Sequence, residues 1–178
     1  MKNNKINGKG LRAVWTMLAM TFLMLHFSSL VSCSSIDCPV QNKVYTVYNL
    51  LKANGTTDTL KVDTLSITTK RADDTDTILL NRAVGITTFD LNISYTQPED
   101  VFYFTLCDTL GNTYRDTVYV QKEDFPHFES VDCQAAYFHQ LTGVHSTHYA
   151  IDSIVINHPT VNYDATNEHF HVYFKARY

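Results

Sequence analysis

The chain has 178 residues, 44% of them hydrophobic and 18% charged, and a formal net charge of −4 at pH 7. An acidic balance disfavours nucleic acid as a partner, because phosphate contacts need Lys and Arg. The six glycines are scattered, so no glycine-rich loop is available to cradle a phosphate.

The first 32 residues read as an export signal. Lys2, Lys5, Lys9 and Arg12 form a basic start, no acid precedes Asp37, and an apolar run fills residues 13–31. The run ends in Leu30-Val31-Ser32-Cys33, which resembles the lipobox of bacterial lipoproteins. The resemblance implies a diacylglyceryl thioether on Cys33, cleavage before it, and acylation of the new amino terminus. The alternative is an uncleaved transmembrane anchor, since a span needs roughly 20 apolar residues. His26, Ser28 and Ser29 weaken that alternative. Three regions follow: a lipoprotein signal peptide over 1–32, a lipidated tether over 33–42, and a single domain over 43–178. Without the leader, 10 basic residues face 18 acidic ones, a net charge of −8, and the lone tryptophan, Trp15, is gone. About nine tether residues at roughly 3.3 Å each reach about 30 Å, which keeps the domain close to its membrane.

With Cys33 lipidated, Cys38, Cys107 and Cys133 remain, in a compartment that permits disulfides. Ser35-Ile36-Asp37-Cys38 and Ser130-Val131-Asp132-Cys133 are near-identical, whereas Cys107 lies in an apolar run where a thiol acts as a small hydrophobe. The expected bridge is Cys38–Cys133, worth at most about 4–5 kcal/mol on the chain-entropy model. Three unpaired thiols are the alternative.

Beyond the tether, period-two alternation predicts strands throughout. Residues 44–51 and 59–68 flank Asn54-Gly55, which reads as the tip of a hairpin joining them. The turn Asp73-Asp74-Thr75-Asp76 precedes a strand over 77–81. Phe89, Leu91, Ile93 and Tyr95 form the next apolar row, ended by Gln97-Pro98-Glu99-Asp100. Phe102, Phe104 and Leu106 lead to a turn at Leu110-Gly111-Asn112, after which Tyr114, Val118 and Val120 face inward. Strands over 135–140 and 149–157 follow, then His158-Pro159. The last strand turns Phe170, Val172, Phe174 and Ala176 inward and His169, His171, Tyr173, Lys175 and Arg177 outward. No helical period persists, and Thr and Tyr favour strands. The expected fold is all-β, an immunoglobulin-like β-sandwich of about 8–9 antiparallel strands. A lipocalin-like β-barrel is the alternative.

Three patterns bear on chemistry. His169 and His171 lie about 6.8 Å apart along one strand face, the spacing of a zinc or copper pair that needs a third ligand such as His145 or His148. Asp73, Asp74 and Asp76 offer oxygen ligands, but lack an EF-hand loop and read as a polar turn. The tripeptide Asp-Thr/Ser-aliphatic occurs six times, at Asp58, Asp63, Asp76, Asp108, Asp116 and Asp152. It is similar to the O-glycosylation acceptor of Bacteroidota envelope proteins. That resemblance implies sugars, with Thr77 and Thr109 favoured because they adjoin turns and a sugar must face solvent. No Gly-x-Ser-x-Gly or His-Glu-x-x-His occurs, and no cofactor or enzymatic activity is expected.

Cys38-Pro39, the segment from Phe128 to Cys133, Ile151-Asp152-Ser153-Ile154 and the closing strand from His169 resemble an uncharacterised family of Bacteroidota envelope lipoproteins, a domain of unknown function. The resemblance implies an envelope location, a sandwich-like fold and association with an outer-membrane β-barrel protein. The expectation is a non-enzymatic, membrane-anchored binding or scaffolding module, most simply on the outer membrane, because Ser34 and Ser35 do not resemble an inner-membrane retention signal. Tyr173 and Lys175, with His169 and His171, form its expected partner surface. A histidine-based metal-binding envelope protein is the competing expectation.

Overall fold

A computed structural model describes residue 15, residues 17–21 and residues 43–176. The chain divides into two units, Met1–Asp37 and Cys38–Tyr178. In the first, the described residues are helical, and the Thr21 hydroxyl donates to the Met17 and Leu18 carbonyls. Among the described residues, no helix is long and apolar enough to cross a membrane. Cys33, Cys38 and the tether lie outside the described residues.

The second unit is a β-sandwich. Its strands are β1 (Tyr45–Leu51), β2 (Thr64–Lys70), β3 (Asp76–Ala83), β4 (Thr88–Asn92), β5 (Glu99–Cys107), β6 (Thr113–His127), β7 (Ala136–Ser146), β8 (Ile151–Ile156), β9 (Thr160–Val161) and β10 (Phe170–Phe174). They form a four-stranded sheet, β4-β1-β10-β8, and a six-stranded sheet, β3-β2-β5-β6-β7-β9. Neither sheet closes on itself, which sets aside the barrel alternative.

Alternation carries the core. Leu65 and Ile67 on β2, Phe102, Phe104 and Leu106 on β5, and Val118 and Val120 on β6 are buried from one sheet. Tyr48 and Leu50 on β1, Phe89 and Leu91 on β4, and Phe170 and Val172 on β10 meet them from the other. Tyr48 stacks between Phe89 (5.0 Å) and Phe170 (4.7 Å), with Phe104 edge-on at 6.2 Å. Such offset and edge contacts add to plain area burial.

Several expectations require correction. Asn54-Gly55 does turn the chain: Gly55 has φ 79° and its N–H donates to the Lys52 carbonyl. Glycine accepts that left-handed geometry without steric cost. The return is short, with Thr57 bridging Leu51 in antiparallel sense, and it does not join the two expected strands as a hairpin: β1 pairs with β4 and β10 while β2 pairs with β3 and β5. The segment after it crosses between sheets. Not every pair is antiparallel: β1 and β10 run parallel, with Tyr48 opposite Phe170 and Leu50 opposite Val172. The row begun by Phe89 ends at Asn92, so Ile93 lies beyond β4 and Tyr95 is exposed. Tyr114 is also exposed, and the closing strand ends at Phe174, leaving Ala176 exposed.

Turn chemistry sets the hairpins. Between β2 and β3, Asp73 Oδ1 accepts from the Thr75 N–H (3.1 Å) and hydroxyl (2.5 Å), an arrangement that holds the Asp73 carboxyl below its usual range. Between β5 and β6, Asp108 accepts from the Asn112 side chain and from the backbone N–H groups of Leu110 and Asn112. The connection from β7 to β8 passes from one sheet to the other and is held differently. The buried Asp116 carboxylate on β6 accepts from the Thr147 hydroxyl and from the N–H groups of Tyr149, Ala150 and Ile151.

Candidate functional site

The inner face of β6 reads Asp116, Val118, Val120, Lys122, Asp124: apolar in the middle, charged at both ends. The Lys122 end builds a buried polar cluster. Lys122 Nζ donates to the Gln97 carbonyl at 2.5 Å and lies 3.4 Å from both Asp100 and Asp124. Asp100, from β5, also accepts the Ser94 N–H at 3.1 Å. Asp124 sits opposite His139 of β7 and meets its Nδ1 at 2.6 Å.

Burial pushes Asp100 above the usual carboxylate range, against the pull of Lys122. Burial also lowers the His139 pKa, against the pull of Asp124. Burial outweighs Asp124 at His139 and favours a neutral imidazole that donates Nδ1–H to Asp124. Nε2 is then left with its lone pair.

His139 borders a cavity of about 510 Å³. Lys43, Asn92, Tyr95, Gln134 and Tyr137 also line it, and the Tyr95 and Tyr137 rings stack at 4.5 Å. The cavity therefore lies where the described chain enters β1, at the same end as the β6–β7 connection. A second cavity, of about 440 Å³, lies where β5, β8 and β10 approach the other end. Leu110, Tyr114, Tyr149 and Lys175 border it.

The residues singled out from sequence do not converge. His169 is corrected from outward to buried: its Nδ1 accepts the Val47 N–H at 3.0 Å, and burial lowers its pKa. His171 stays half-buried and pairs with Glu168 at 3.1 Å. Of the proposed third ligands, His145 stacks on Tyr119, and His148 Nδ1 lies 2.8 Å from the Asp152 carbonyl. Among the described residues, no three His, Cys, Asp or Glu side chains gather as a metal site. Asp73, Asp74 and Asp76 remain a hairpin turn, with Asp74 paired to Lys70.

Thr77 is a poor sugar acceptor, because its hydroxyl is buried without a hydrogen-bond partner. Thr109 is exposed in the Asp108 turn, as the sequence suggested. Cys107 is a free thiol and Cys133 is not; the partner expected for Cys133, Cys38, lies outside the described residues. On the expected partner surface, Tyr173 is half-buried, while Lys175 is exposed and donates to the His148 carbonyl at 2.6 Å.

Sequence reasoning missed the cluster of Asp100, Lys122, Asp124 and His139. A signal was present. Extending the inward parity of Val118 and Val120 by one step in each direction gives Asp116 and Lys122, and charges in core register must find partners.

Residues 64–174 match a family of unknown function, DUF6452, over more than half of the chain. No curated protein and no solved structure matches it.

Proposed function

The chain belongs to the DUF6452 family, and from that premise we propose that it is a lipid-anchored envelope lipoprotein of Bacteroidota type, whose sandwich binds or scaffolds another envelope component without catalysing a reaction. The observation that carries the non-catalytic reading is the composition of the cavity beside His139. Among the described residues, its lining has no serine, threonine or cysteine to serve that imidazole as a nucleophile. The Asp124–His139 pair reads instead as a structural couple that satisfies a buried charge.

Supporting the anchor are the basic start, the apolar run and the Leu30-Val31-Ser32-Cys33 tetrapeptide. The lipid on Cys33, an outer-membrane location, a Cys38–Cys133 bridge, a sugar on Thr109 and an outer-membrane β-barrel partner are parts of this one reading. The partner contacts the end away from the tether, where Lys175 borders a cavity with Leu110, Tyr114 and Tyr149.

Two measurements test it. Intact mass of the protein purified from its own membranes is expected to show loss of residues 1–32 and acyl chains on Cys33. Crosslinking in intact cells is expected to recover a second envelope protein. A product that keeps its leader, or crosslinks only to its own copies, contradicts the reading.

A further inference from the structure

The end of the sandwich at which the described chain enters carries several exposed aromatic rings. Lys43 and Val44 lead into β1 beside Asn92 of β4 and share a cavity with Tyr95, Gln134 and Tyr137. The β6–β7 connection is therefore at this end. It presents Phe128, 63% exposed, and Val131, 97% exposed at the tip of a turn closed by the Cys133 N–H on the Ser130 carbonyl. Phe125, three residues before Phe128, and Tyr163, whose ring meets those of His127 and Phe138, are exposed as well. Behind, His127 stacks on Phe138 at 4.2 Å, and Tyr163 meets Phe138 edge-on at 5.0 Å, so the rings form a braced platform.

We propose that this platform, led by Phe128 and Val131, docks into the headgroup region of the bilayer to which the chain is anchored. The inference rests on the lipoprotein reading for its orientation. A tether of about 30 Å fixed at Cys33 holds the entry end of the domain near the lipid. Tyrosine rings such as Tyr163 favour the membrane–water interface because one end is apolar and the other wet, while Phe128 and Val131 supply purely apolar surface to bury there. Charge attraction does not drive the contact. The chain after residue 32 has a net charge of −8, and anionic lipids attract basic, not acidic, segments. Glu129, next to Phe128, is already paired with His127 at 3.0 Å. The occupant is thus a zwitterionic lipid surface, met through apolar contact.

The test uses the full chain, extracted from its own membranes and reconstituted in phosphatidylcholine vesicles with brominated acyl chains. Phe128→Trp and Leu110→Trp are compared, each against the unsubstituted protein and against unbrominated vesicles. Quenching by bromine is expected for Phe128→Trp and not for Leu110→Trp, which lies at the opposite end. Val131→Trp provides a second probe if Phe128→Trp does not fold. Equal emission in both vesicle types for the platform probe overturns the proposal, as does equal quenching at both ends. The intact mass of the same sample separates the two readings. Absent quenching with acyl chains on Cys33 defeats the docking alone. Quenching with an unmodified Cys33 defeats the anchor alone and leaves the platform standing.

Discussion

Asp116 accepts the Ile151 N–H at 2.9 Å, and this single bond ties a strand of the six-stranded sheet to the first residue of a strand in the four-stranded one. The same carboxylate holds the N–H groups of Tyr149 and Ala150. Asp116→Ala leaves three backbone donors without their acceptor in a region where Ala150 and Ile151 are buried. Charged hydrogen bonds contribute about 1.5–3 kcal/mol each, and the losses overlap. The expected destabilisation is about 3–5 kcal/mol, read as a fall in the urea midpoint with little change in slope.

Lys122 is the counter-charge for Asp100 and Asp124. Lys122→Met keeps the stem volume but leaves two carboxylates near each other with no cation between them. Breaking a buried charge set from one side costs about 3–5 kcal/mol. The variant Lys122→Met/Asp100→Asn/Asp124→Asn removes the stranded charges as well. It is expected to regain a large part of that loss in the same denaturation assay, which a purely steric defect at position 122 does not allow.

The buried histidines predict the direction of a pH effect. His139 and His169 both have pKa values below the usual 6.5 in the folded protein, because burial disfavours their charged forms. The unfolded chain then binds more protons than the folded one as pH falls below about 6.5, so stability is lost on acidification. The loss levels off below the folded values. His139→Gln/His169→Gln is expected to flatten the dependence between pH 5 and 7, measured by urea midpoints. Asp100, whose folded pKa is raised, has the opposite sign: its contribution declines as pH rises from the ordinary carboxylate value near 3.8.

Zinc is expected to leave the thermal midpoint unchanged. His169 Nδ1 already accepts the Val47 N–H, and His171 is paired with Glu168. A rise in midpoint with added zinc that is reversed by chelator, and lost in His171→Ala, contradicts this arrangement of the two side chains.

Much of the fold was legible as alternation. Phe102, Phe104 and Leu106 are buried on β5, and Val118 and Val120 on β6, as their spacing requires. Which strands share a sheet was not legible. Asn54-Gly55 fixes a local backbone reversal, but a turn does not state whether the chain then pairs with the strand it left. Here the return to β1 stops after a single bridge, Thr57 opposite Leu51, and Leu60 then bridges to Ile86. Face assignment failed at His169 for a related reason. Parity gives the direction of Cβ at a strand position, but His169 precedes β10, and its ring turns to the Val47 N–H of the neighbouring strand β1. The charged cluster escaped notice because pattern reading treats Lys and Asp as solvent markers. Lys122 shows that a core register can hold a cation when carboxylates arrive from two strands.

The strand order β4-β1-β10-β8 places β10, the latest of the described strands in chain order, in the interior of its sheet. A polypeptide emerging amino-terminus first can pair β1 with β4, but that ribbon keeps an open flank until residues 170–174 are delivered. Joining segments so distant along the chain is slow, because loop closure precedes any gain. The nascent chain therefore carries an unsatisfied strand edge from the time β1 is made until β10 arrives. Truncation after β8 removes the one element that seals it.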